Sequence, residues 1–194
     1  MFENIYLIFA ILVFINKFFI TSKIHKIKKI EGEISFQWIT KSIYIFYILP
    51  IFVSPIEFFI IERNINYYIS GIAFVLYILG WMLSIWAIKT LDKYWTVEIE
   101  IRDVHPLIKK GPYKYMRHPH YLFLFCEILG LPLIANAYYS FFLIVITFVP
   151  LIILRFIFEE KALIKKFGEE YLKYKKEVWA FFPIPIFKTG VKDV

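Results

Sequence analysis

Tyr67-Tyr-Ile-Ser-Gly-Ile-Ala-Phe-Val-Leu-Tyr-Ile-Leu-Gly-Trp-Met-Leu-Ser-Ile-Trp-Ala-Ile88 contains no charged side chain. As a helix it would be about 33 Å long, enough to cross the roughly 30 Å hydrocarbon core of a bilayer. It is apolar all round, whereas a surface helix of a soluble domain shows a single apolar stripe. Four further apolar runs flank it: Phe2–Ile20, Ile43–Ile61, Tyr121–Ile134 and Tyr138–Phe158. The chain as a whole is 60% hydrophobic and 21% aromatic over 194 residues. That is more apolar surface than a soluble domain of this length can hide. The expected fold is an all-α integral membrane protein with about five transmembrane helices, forming one domain over residues 1–194.

The runs differ in character. The fourth is short and carries Gly130 and Pro132 near its end, which predicts a tight hairpin with the fifth. The first has a weak basic flank and no small-residue cleavage pattern, so it reads as a retained helix rather than a signal peptide. Pro50 and Pro55 are expected to kink the second, and Glu57 beside them reads as an interfacial or helix-paired carboxylate. Of the 23 Lys and Arg, 19 fall in the segments 21–36, 89–120 and 159–194. With five crossings these three segments share one face, which the positive-inside rule makes cytoplasmic, leaving the amino terminus outside. The net charge of +7 is therefore largely a topology signal, and it suits anionic lipid headgroups. Nucleic-acid binding is not indicated, because the basic residues are interspersed with acids and carry no recognition motif. The single cysteine, Cys126, excludes an intrachain disulfide and reads as a small helix-packing residue.

Three polar features stand out against this background. Gly111-Pro-Tyr-Lys-Tyr-Met-Arg-His-Pro-His-Tyr121 sets Arg117, His118 and His120 at the mouth of a helix whose first turn is fitted to Pro119. With His105, these histidines read as a metal site, as helix caps, or as a ligand pocket walled by Tyr113 and Tyr121. Their spacings match no ligand pair of known type. Glu159-Glu160, where the fifth run ends, need a cationic partner, either Arg155 one helical turn earlier or a ligand group. Val97 to Arg102 alternates apolar and charged residues, the period of an extended surface segment. Beyond the fifth run, Leu163, Ile164, Phe167, Tyr171, Tyr174 and Val178 recur at helical spacing, predicting a C-terminal amphipathic helix interrupted near Gly168.

The order His105-x-Leu107, Gly111-x-Tyr113, Arg117-His118-Pro119-x-Tyr121, Arg155-x-x-x-Glu159-Glu160 and Phe167-Gly168-x-Glu170-Tyr171-x-x-Tyr174, ending at Pro183, resembles the isoprenylcysteine carboxyl methyltransferases and related phospholipid methyltransferases. The resemblance runs from about Trp95 to Pro183. It implies an integral-membrane enzyme moving a methyl group from S-adenosylmethionine to a lipophilic acceptor, with a cofactor pocket at the cytoplasmic surface and no metal. Residues 1–90 would then form a three-helix platform and 91–194 the cofactor-binding half. By position, His105, Leu107, Gly111, Tyr113, His118, Pro119, Tyr121, Glu159 and Glu160 would line the pocket. Among the candidate catalytic residues, Arg117 or Arg155 would hold a carboxylate acceptor, while Glu160 or His118 would deprotonate an amine or thiol. The implied partners are a lipophilic or lipidated-cysteine substrate and membrane lipids, with a cell membrane as the location in a prokaryote.

The match has one departure. Relatives often carry a basic residue shortly before the terminal proline, where this chain reads Val178-Trp-Ala-Phe-Phe-Pro183. That weakens the case for an isoprenylcysteine carboxylate as acceptor. Two other readings remain open on sequence. Membrane sterol reductases carry a similar Arg-His-Pro-x-Tyr helix and use NADPH, and a non-enzymatic membrane scaffold would need no pocket at all.

Overall fold

The computed structural model describes residues 2–27, 33–95, 99–101 and 106–182. His105 and Pro183, both part of the sequence pattern, lie outside these residues, as do Val97, Glu98 and Arg102. Six helices make up most of the described chain: α1 (Phe2–Ile27), α2 (Gln37–Ile60), α3 (Tyr67–Leu91), α4 (Pro119–Ile134), α5 (Tyr138–Phe167) and α6 (Glu169–Glu177). Three of them are long and apolar enough to cross a membrane: α2, α5, and α3 with the 3-10 turn that extends it to Tyr94. α4 has only 16 residues, and α1 is a 26-residue helix whose first residues, Phe2–Asn16, are apolar. Among the described residues three helices thus have the length and polarity of a crossing, and the short fourth run forms the short helix α4.

The described part of the alternating segment is extended, as its period predicts. Ile99–Ile101 forms strand β2, which pairs antiparallel with β1 (Glu33–Ser35). The register runs from Glu33 opposite Ile101 to Ser35 opposite Ile99, a distant pairing that no local pattern announces.

Local chemistry sets the helix ends. Asn66 caps α3 by accepting from the amides of Tyr68 and Ile69, both at 3.2 Å. His118 occupies the N-cap of α4 with Pro119 at the first position, where the missing N–H is no loss. Gly168, at φ +53°, ends α5 and turns the chain into α6. The amphipathic stretch is therefore two pieces. Leu163, Ile164 and Phe167 belong to the last turns of α5, and Tyr171 and Tyr174 to α6. α2 runs as one helix through both Pro50 and Pro55.

α3 and α4 form the closest antiparallel pair. A Cβ on Gly80 would meet the Cβ of Cys126 at 2.8 Å, and one on Gly130 would lie 3.5 Å from the Ala73 carbonyl. Small residues let the two backbones approach, as in membrane helix packing generally, and Cys126 does serve as a packing residue. Along the same seam, Ser84 meets His120 and Tyr77 meets Glu127, seven residues apart on each helix. α5 packs across α2 around Ile39, Ile43, Ile144, Phe148 and Ile152, and α4 joins them through Tyr121 and Ile128. Outward-facing Ile45, Ile60, Tyr68 and Ile146 are largely exposed, as a lipid-facing surface requires.

The short turn Ala135–Ala137 between α4 and α5 makes the tight hairpin that Gly130 and Pro132 foretold. Asn136 sits there at φ +55°, fully buried. Its side chain donates to Ser70 Oγ at 2.6 Å and accepts from the Asn66 amide at 2.8 Å.

Candidate functional site

At the other end of the bundle, the start of α4, the last turns of α5 and all of α6 converge on Glu160. This carboxylate is 5% exposed and is surrounded by donors. Arg117 grips it as a fork, Nε to Oε1 at 3.1 Å and Nη2 to Oε2 at 3.2 Å. His118 Nε2 lies 2.8 Å from Oε1, the Tyr171 hydroxyl donates to Oε1 at 2.6 Å, and Lys175 Nζ stands 2.9 Å from Oε2. For Glu160 that cationic partner is Arg117, with Lys175 beside it. Arg155 is also buried but donates to Thr40 Oγ1 of α2 at 2.7 Å.

Arg117 reaches further. Its Nη1 donates to the carbonyls of Lys175, at 3.2 Å, and Val178. The backbone amides of Arg117 and His118 donate to the carbonyls of Trp179 and Ala180 at 2.9 and 2.8 Å. The chain's own C-terminal segment thus pairs with the backbone that leads into α4. Arg117 is thereby a pin joining α4, α5 and the segment after α6.

Glu159 differs from its neighbour. Its side chain keeps 29% of its surface exposed, accepts from the Tyr121 hydroxyl, and stands 3.8 Å from His118 Nδ1. His118 thus bridges the two carboxylates. Its ring is packed edge-on against Phe156 and Tyr121, with Phe181 tilted alongside. His120, two residues on, faces the opposite way, toward Ser84 of α3 and Trp95. The two histidines do not share one site.

The tyrosines around the cluster are held protonated. Burial first, and then the hydrogen bond to Glu160, push the Tyr171 phenol far above its ordinary range. Burial does the same for Tyr113, aided by the charge of Glu159, and for Tyr174. Tyr174 donates to the Tyr113 carbonyl, tying α6 to the turn Gly111–Lys114. Gly111 in that turn has φ +59°, and a Cβ there would lie 2.6 Å from Thr90 Oγ1, so only glycine fits. Leu107 is half-buried nearby in sequence, and Pro119 is buried at the helix start.

The structure thus brings together Arg117, His118, Tyr121, Glu159 and Glu160, with Tyr113 linked through Tyr174. The sequence reading missed Lys175 and the carbonyls of residues 175–180, whose role is set by long-range contact. It also missed Glu127, buried in the middle of α4 and accepting from Tyr47 at 2.7 Å and Tyr77 at 3.4 Å. The available signal was a lone acid in an otherwise uncharged apolar run.

Two comparisons bear on this arrangement. The sequence model of the isoprenylcysteine carboxyl methyltransferase (ICMT) family matches residues 72–165, from the first turns of α3 to the last turn of α5. The uncharacterized protein YpbQ of Bacillus subtilis (strain 168) is 36% identical over 121 residues, covering 54% of this chain and 72% of YpbQ. The matched span holds the Arg-His-Pro helix start and both glutamates in one fold, and three of the helices have the length and polarity of membrane spans. This chain is an integral membrane protein that belongs to the isoprenylcysteine carboxyl methyltransferase family, a family of membrane methyltransferases.

Proposed function

We propose that the chain transfers a methyl group from S-adenosylmethionine to a lipophilic acceptor that enters from the bilayer. The observation carrying this reading is the pairing of two adjacent carboxylates in unlike settings, Glu160 fully engaged by protein donors and Glu159 half-exposed beside it. A cationic, hydroxyl-bearing cofactor needs an acid that is fixed in place yet accessible, and Glu159 meets both conditions. When bound, S-adenosylmethionine supplies an electrophilic methyl group on a sulfonium.

Glu159 would take the cofactor's ammonium or ribose hydroxyls, with His118 and Tyr121 orienting it. Tyr113 and Tyr121 offer aromatic surface to the adenine and the sulfonium. His105, Leu107, Gly111 and Pro119 complete the set by their place in the family pattern. Arg117 and Glu160 act as positioning residues, and Arg155 stands deeper, against α2. Transfer is an in-line displacement, so alignment and exclusion of water by this closed end of the bundle supply most of the acceleration.

The orientation follows from the charge map: five crossings, the two shorter helices included, with the amino terminus outside and the cluster facing the cytoplasm. Residues 1–90 serve as the platform and 91–194 as the cofactor half. In a prokaryote the location would be the cell membrane.

Competitive binding tests the reading. Labelled S-adenosylmethionine on the detergent-purified chain should be displaced by S-adenosylhomocysteine and not by NADPH. Displacement by NADPH would move the assignment to the reductases, and no binding would remove the cofactor site altogether.

A further inference from the structure

α6 is rich in Lys and Glu, and directly after it Val178-Trp-Ala-Phe-Phe182 carries apolar side chains only. This strap runs back along the start of α4. Arg117 Nη1 donates to the Val178 carbonyl, and the amides of Arg117 and His118 donate to those of Trp179 and Ala180. Trp179 and Phe182 are exposed, as large apolar residues at a membrane–water boundary are. Phe181 is instead half-buried, with its ring turned into the bundle.

That ring stands in the seam between α4 and α5. Its centroid lies 4.8 Å from that of Phe156 on α5, 6.2 Å from the His118 ring, and 6.3 Å from both Tyr121 and Phe125 on α4. Phe125 is about 10 Å along α4 from His118, so the ring reaches from the polar cluster toward the spanning part of the helix. The neighbouring seams are closed by the helices' own side chains. Gly80 meets Cys126 between α3 and α4, and Ile39, Ile43, Ile144, Phe148 and Ile152 fill the space between α2 and α5. Between α4 and α5 the filling comes from a third segment, and beside it α5 exposes Ile153 and Ile157. A ring supplied by a short strap can leave without moving either helix.

Resting on the methyltransferase reading, we infer that Phe181 occupies the seat of the acceptor's apolar group, and that the acceptor comes in from the bilayer between α4 and α5 by displacing this ring. Tyr121, Phe125 and Phe156 wall the seat. It leads from the lipid to His118 and Tyr121, the two side chains that hold Glu159. The acceptor is therefore selected here by its apolar body and not by a charge. Arg117 fastens the strap with the same guanidinium that grips Glu160, so the seat is closed on the intact cluster.

The test uses the full chain in lipid nanodiscs with an aryl trifluoromethyl diazirine, which dissolves in hydrocarbon and on illumination inserts into the side chains it meets. In the wild type the label should fall on Ile153 and Ile157 and spare Tyr121 and Phe156. Phe181→Ala should raise labelling of Tyr121 and Phe156 several-fold and leave Ile153 and Ile157 as they were. Phe181→Val, a milder truncation, should act in the same direction, and Phe182→Ala should change neither pair. S-adenosylhomocysteine, its binding measured separately by displacement of labelled S-adenosylmethionine, should lower the new labelling at Tyr121. Equal labelling of Tyr121 and Phe156 with and without the Phe181 ring, or new labelling that bound S-adenosylhomocysteine leaves untouched, would overturn the inference. A wild type that binds no S-adenosylmethionine would sink the methyltransferase reading first, and the acceptor seat with it.

Discussion

Glu57 and Glu160 are both buried carboxylates paired with an arginine, at opposite ends of a helix bundle, and they do different work. Glu57 accepts from the first amides of α5, Ser140 at 2.6 Å and Tyr139 at 3.3 Å, and pairs with Arg63 at 2.9 Å. Arg63 in turn donates to the Asn136 carbonyl of the α4–α5 turn. Every one of these contacts closes a helix end or a turn, so the position of Glu57 is explained without any ligand. Glu160 caps nothing. Its donors are side chains from the start of α4 and from α6, and its neighbour Glu159 keeps an accessible face. A buried acid whose partners are backbone amides of a helix start reads as architecture. One whose partners are side chains from several segments, next to a second acid left half-open, reads as a prepared site.

The largest effect should come from breaking the fork. Arg117→Ala leaves Glu160 buried beside His118 and Lys175 and frees the Lys175 and Val178 carbonyls. A loss of about 3–5 kcal/mol is expected for a buried ion pair reduced to one partner. Thermal unfolding in detergent should show it, together with loss of cofactor binding. Arg117→Lys should recover only part, because an ammonium cannot make the two parallel bonds. Full recovery by lysine would mean that charge alone matters and the fork does not.

Tyr171→Phe comes next. It removes a hydrogen bond to a buried carboxylate, worth about 1.5–3 kcal/mol, without changing shape. The phenol also gives this variant a pH signature. Its folded pKa lies above the unfolded value, so its stabilisation is present below the ordinary tyrosine range and is lost as pH rises beyond it. The difference in melting temperature between wild type and Tyr171→Phe should therefore be flat at neutral pH and narrow under alkaline conditions. A difference that widened with pH would contradict the assigned direction.

Glu57→Gln tests the opposite end. Removing the charge at the start of α5 and from Arg63 should cost about 1–2 kcal/mol, visible as a lower melting temperature. Cofactor affinity should not change, because the roughly 30 Å from Ser140 to Glu160 along α5 separates the two clusters. A drop in affinity matching that of the Glu160 cluster would erase the distinction between the two ends.

The sequence disclosed these two regions unequally, for a physical reason. Helix existence follows from local pattern: the uncharged run at Tyr67–Ile88, Pro119 at a first turn and Gly168 at a break each occupy the predicted place. Partnership between distant segments does not. Ser84 with His120, and Tyr77 with Glu127, share a seven-residue spacing on two helices, but nothing in either helix alone says which faces meet. Helical spacing offered Arg155, one turn before Glu159, as one candidate partner, with a ligand group as the other. The structure also ties it to Thr40, 115 residues away, and brings in Arg117 from 43 residues upstream of Glu160. The β1–β2 ribbon shows the same split, with its alternation legible and its pairing not.

The smallest stability effect, and the sharpest separation of roles, belongs to Tyr121→Phe. Its hydroxyl donates to Glu159, whose half-exposed carboxylate can turn to water when the donor is lost. About 0.5–1 kcal/mol of stability should go, the range of an ordinary hydrogen bond. Cofactor affinity should nevertheless fall more than in Tyr171→Phe, since Glu159 is the acid proposed to face the ligand and Tyr121 fixes its direction. The two variants thus run in opposite order on two measurements, melting temperature and cofactor Kd. If both measurements ranked them the same way, Glu159 would be another structural carboxylate like Glu57, and the open side of the cluster would have to be sought around Glu160 itself.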